Sequence, residues 1–167
     1  MLPTPANYLS LATSLLQKGS LWLVAREDAS VMMEMLQCEI EYNLNLINTL
    51  SEDANQWSPA CVAIGSHIKT DYISSAFAPG KASSRLRELL HDVQVTPDGD
   101  EEQEKSVAKS ATVGEALQIV LVRMYSIQAL AKIEKRPDGM REIRFATRLR
   151  NLGRDLENIR IALKHHK

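Results

Sequence analysis

Glu39 and Asn43 stand four residues apart in "CEIEYNLNLI" (38–47), a stretch whose apolar residues recur at helical spacing. A helix returns to the same face every three to four residues. On a helical wheel Met32, Leu36, Ile40, Ile47 and Leu50 cluster, with Met33, Met35, Leu44 and Leu46 at the margins. Asn43 falls in the middle of this stripe and Glu39 beside it. Gln128 lies in the same way within a stripe of Leu117, Leu121, Met124 and Ala131. A carboxylate turned inward needs a partner or a shifted pKa. Arg148 and Arg160, which flank the apolar seam of the last helix, and Gln128 are the expected partners. Two roles suit Glu39, Asn43 and Gln128: a satisfied polar network that fixes helix register, or the wall of a pocket or interface. The network is the leading expectation.

Glu88 and His91 in "ELLH" have the Glu-x-x-His spacing found in di-iron carboxylate bundles, where both side chains project inward. An antiparallel hairpin about Pro79-Gly80 would bring His67 and Asp71 level with them. The faces oppose such a site. At about 100° per residue, Glu88 and His91 point away from the stripe of Leu86, Leu89, Leu90 and Val93. His67 points away from Ile64, Ile68 and Tyr72. A solvated face is expected here, and no metal.

In "RIALKHH" (160–166) four residues separate Arg160 from His165 and five separate it from His166. This spacing resembles the Arg-x(4–6)-His signature of HEPN-type helical ribonucleases, over six or seven residues. The resemblance implies an all-α fold in which Arg160 and His166 contact the scissile phosphate and assist 2′-hydroxyl attack across a dimer interface. Arg85 and His91 repeat the spacing, with five residues between them. Relative to the seam of the last helix, His165 points outward, while Arg160 and His166 flank it on opposite sides. A HEPN-like ribonuclease or RNA-binding bundle is therefore the alternative reading.

The elements that must position these residues are helical. Thr4 and Pro5 in "TPANYLSLATSLLQKG" give a cap and a first helical position, with Leu11 and Leu15 in the stripe and Gly19 at the end. A helix is predicted over 29–50 and a loop over 51–57. Ser58-Pro59 repeats the cap-plus-proline signature and opens a helix predicted to reach Phe77. Pro79-Gly80 turns the chain into a shorter helix over 84–93. "TPDGDEEQEKS" reads as a mobile acidic loop near 95–108. Thr112 and Glu115 match a capping box, opening a helix to about Lys135 that is apolar on nearly every side and so is expected at the centre. "RPDG" turns the chain into a last helix over 140–166. There Phe145, Leu149, Leu152, Leu156, Ile159 and Leu163 form a heptad seam, to be buried within the bundle or against a second copy.

The chain of 167 residues is expected to form a single domain (1–167), an all-α helical bundle of about five or six long antiparallel helices. Its formal charge of -1 supplies no global field toward nucleic acid or an acidic membrane. From Met140 to Lys167, however, eight Lys or Arg face three acidic residues, and Arg148 and Arg160 belong to this basic helix face. Cys38 and Cys61 lie in apolar segments and read as buried, reduced thiols of a cytoplasmic protein. No uncharged apolar run is long enough to span a membrane, and the N-terminus lacks the basic start of a signal peptide. Neither a Gly-x-Ser-x-Gly elbow nor a phosphate loop is present, and no cofactor is expected. The leading expectation is a non-catalytic interaction or regulatory module. Its partner is another protein or a second copy bound through 140–166, and nucleic acid ranks below both.

Overall fold

The computed structural model describes residues 28–52, 54, 57–95, 111–133 and 144–165. Within them the chain forms helices only: α1 (Ala29–Ile47), α2 (Pro59–His67), α3 (Asp71–Ala76), α4 (Lys81–Asp92), α5 (Val113–Ala131) and α6 (Phe145–His165). The all-α bundle expected from the sequence is what the chain folds into. The N-terminal helix and the acidic loop predicted for 95–108 fall outside the described residues, apart from Val95. So does the "RPDG" turn.

Local chemistry sets most of the boundaries. Asp28 Oδ1 accepts from the Ser30 N–H at 2.8 Å and starts α1. The Ser58 hydroxyl oxygen accepts from the Cys61 N–H at 3.3 Å, and Pro59 occupies a first-turn position of α2. Gly80 precedes α4 with φ 153, a backbone region that side-chain-bearing residues rarely enter. The capping box of α5 is complete: the Thr112 N–H donates to Glu115 Oε2 at 2.9 Å, and the Glu115 N–H to Thr112 Oγ1 at 3.2 Å. Just before that cap, Val95 N–H donates to Ala111 O at 2.9 Å and Val113 N–H to Val93 O at 2.8 Å. These two bonds clamp the residues on either side of 96–110.

One predicted helix is two. The stretch expected to run unbroken from Ser58 to Phe77 leaves helical geometry at Ile68 (φ -58, ψ 130) and resumes at Asp71. Nothing local forces this, because Ile68 continues the apolar period and no Pro or Gly intervenes. The cause lies on other helices, as described below.

α5 and α6 pack side by side, α1 lies along α6, and α2 covers α5. α1 and α6 run antiparallel: Ile47 lies against Gly153, and Arg150 near the start of α6 donates to the Ser51 and Glu52 carbonyls after α1. The seam residues Phe145, Leu149, Leu152, Leu156, Ile159 and Leu163 are all buried inside this one chain. The last helix therefore spends its apolar ridge on α5, α1 and α2. The seam that suggested dimerisation through 140–166 is not available to a second copy. α2 meets α6 where Gly65 approaches Phe145, whose ring also lies against Trp57 with centroids 5.3 Å apart. Leu89, placed by the sequence in the core stripe of α4, faces outward, and so does Cys38 on α1, expected to be buried, whereas Cys61 is buried.

Candidate functional site

Three inward-facing polar residues singled out by their spacing meet one feature, the break between α2 and α3. Glu39 Oε2 accepts from the Tyr72 N–H at 2.9 Å and Oε1 from the Ile73 N–H at 3.0 Å. Asn43 grips Lys69 twice, donating from Nδ2 to its carbonyl at 2.8 Å and accepting its N–H at Oδ1 at 2.9 Å. Gln128 on α5 donates from Nε2 to the Ile68 carbonyl at 2.8 Å. Residues that leave a helix in a protein interior strand backbone donors and acceptors, and each unpaired group is costly. Glu39, Asn43 and Gln128 supply the missing partners, so the break is held from two other helices. Tyr42 adds a covering layer: its hydroxyl donates to the His67 carbonyl at 3.3 Å, and the Lys69 ammonium lies 4.4 Å from its ring centroid.

The expected arginine partners of Glu39 are elsewhere. Arg160 is paired with Glu157 through two of its nitrogens, Nε at 2.8 Å and a second, shorter contact from NH2. Arg148 is exposed at the α5–α6 junction. Backbone amides do the work assigned to them, aided by the partial positive charge at the start of α3. Burial raises the Glu39 pKa above the ordinary glutamate value, with nearby Asp71 adding to the rise; the two amide bonds oppose it. Burial likewise raises the Tyr72 phenol, with Glu39 and Asp71 adding to the effect. Both carboxylate oxygens are committed to amides, so Glu39 presents no free base to a substrate.

The remaining sequence candidates lie apart from this network. Glu88 and His91 are exposed on α4, as is His67 at the end of α2. His67 Nδ1 lies 2.8 Å from the Ala63 carbonyl, and His91 Nδ1 lies 3.4 Å from the Thr112 hydroxyl. Among the described residues no three His, Cys, Asp or Glu side chains converge as metal ligands. His165 is exposed on the last turn of α6, and His166 lies outside the described residues.

Two features have weaker sequence signals. Asp155, at the edge of the α6 seam, is only 4% exposed and pairs with Arg123 of α5. Burial raises its pKa, and the Arg123 and Arg154 guanidinium groups oppose that shift. Beside this pair a cleft of about 180 Å³ opens between α5 and α6, lined by Arg123, Ser126, Ile127, Arg148 and Asn151. The outer face of α5 carries Ile119, Val122 and Tyr125, which are 41%, 66% and 48% exposed. The helix expected at the centre does pack against α2, α3, α4 and α6, while this side of it is left uncovered among the described residues. Comparison with protein-family models, with curated proteins and with solved structures finds no match to this chain.

Proposed function

We propose that the protein is a non-catalytic helical-bundle module that works by binding another protein across the outer face of α5. The observation that carries this reading is the row of Ile119, Val122 and Tyr125 on a helix whose opposite side is the centre of the core. Burying apolar area stabilises association by about 25 cal/mol per Å² before the costs of binding. Aromatic residues with one wet end, such as Tyr125, are common anchors at interfaces. The inward-facing polar groups support the same view. Glu39, Asn43 and Gln128 are satisfied by backbone, and Arg160 is satisfied by Glu157.

A photoreactive phenylalanine analogue placed at 122, and as a control at the exposed Glu41 on α1, tests the proposal in the native host. A discrete cross-linked protein is expected from position 122 and absent from position 41. Val122→Asp in the same chain carrying the probe at 125 should suppress the product. A second copy of this chain as the captured species would show as a dimer in light scattering at micromolar concentration. Cross-linking of equal pattern from 41 and 122, or none from 122, overturns the proposal.

A further inference from the structure

We propose that the cleft between α5 and α6 is a binding site for a small oxyanion, the carboxylate or phosphate group of a low-molecular-weight acid. The cleft borders the outer face of α5 at Ser126, whose hydroxyl bonds the Val122 carbonyl, but its ligand would not need a partner on that face. Its walls offer almost only donors. Arg123 donates one nitrogen, NH1, to Asp155, which anchors the guanidinium against α6. A guanidinium has five N–H groups in a planar fork, so most of this one remains for a ligand. The Arg148 guanidinium has no acidic partner among the described residues and lines the same cleft from α6. Asn151 Oδ1 accepts from Arg154 NH2 at 3.2 Å, so the Asn151 group still open to a ligand is its amide donor. The Ser126 hydroxyl already donates to the Val122 carbonyl at 2.9 Å and contributes no donor.

A pocket of two guanidinium groups and an amide donor selects a ligand rich in acceptors, and a planar two-oxygen edge matches the arginine fork. Ile127, a buried residue of the lining, lowers the local dielectric and strengthens such bonds. No acid is among the residues lining the cleft, and Asp155 stands beside it. It is committed to Arg123, and Arg148 and Arg154 leave the surroundings net positive. At about 180 Å³ the space suits one anionic group with a short body, since drug-sized ligands need roughly 300 Å³ or more.

The test is an NMR titration of the full chain, observing arginine Nε–Hε signals. Inorganic phosphate and succinate are added separately, with chloride at matched ionic strength as the control. Saturable shifts at Arg123 and Arg148 are expected with phosphate, succinate or both. Arg148→Ala, an exposed position that leaves the core intact, should weaken binding by about tenfold or more. Arg160→Ala should leave it unchanged, because that guanidinium belongs to Glu157. Tighter phosphate identifies a phosphoryl group as the natural ligand, and tighter succinate a carboxylate. Linear shifts equal to those with chloride, or equal binding by Arg148→Ala, overturn the proposal.

Discussion

Glu39 shows how a single side chain can decide a chain's path. Its carboxylate satisfies two consecutive amides, so replacing one oxygen by an amide N–H₂ sets donor against donor. Glu39→Gln should cost about 1–3 kcal/mol in urea unfolding. A loss well below that range would mean the amides find other acceptors. The pH dependence has a definite sign. A raised carboxyl pKa means the folded chain holds that proton more tightly than the unfolded chain. The site's contribution therefore falls as pH rises from the ordinary value of about 4.5 through the raised folded value, and then levels off. Glu39→Gln does not titrate there. Its deficit against the wild type should narrow as pH is raised through that window, and a deficit that widens would contradict the burial assigned to Glu39. Asp155 adds a slope of the same sign. Glu157, whose pKa is held low by Arg160, opposes both.

Among the elements, caps and periods made most boundaries legible. Ser58-Pro59, the Thr112–Glu115 box and the Phe145–Leu163 seam each signal their structure through residues close in sequence. The break at 68–70 was not legible, because its cause is remote: Glu39 and Asn43 from α1 and Gln128 from α5. The wheel showed these three turning inward. Their partners are backbone amides and carbonyls, which every residue has, so no spacing announces them. The exposed side of α5 was not legible either, since an apolar residue reads alike whether it is covered or bare. Helix geometry also yields two tests. A methyl group at Gly65 would lie 2.8 Å from Phe145 Cζ, inside a ring contact fixed by Trp57. Gly65→Ala should thus destabilise by about 1–3 kcal/mol despite alanine's helix propensity, measured by thermal unfolding. Lys81 stands in the first turn of α4, where Gly80 offers no side-chain cap. Lys81→Glu should raise stability by about 0.3–1 kcal/mol at low salt, and the gain should fade as salt is added.

At the scale of the molecule, α6 ties the bundle together. It packs along α5 and α1 and meets α2 at Phe145, so damage to its seam should be felt everywhere at once. Leu152→Ala is expected to cost about 2–5 kcal/mol while leaving a single unfolding transition, with far-UV and near-UV dichroism coinciding. Separate transitions by the two probes would show that the helices fold in independent groups. The clamp formed by Val93, Val95, Ala111 and Val113 has a practical corollary. Because the chain on either side of 96–110 is already joined by two backbone hydrogen bonds, its length is decoupled from the register of α4 and α5. A fluorescent tag inserted between Val95 and Ala111 would thus enter where the flanking backbone is already paired, a way to follow the protein in its host.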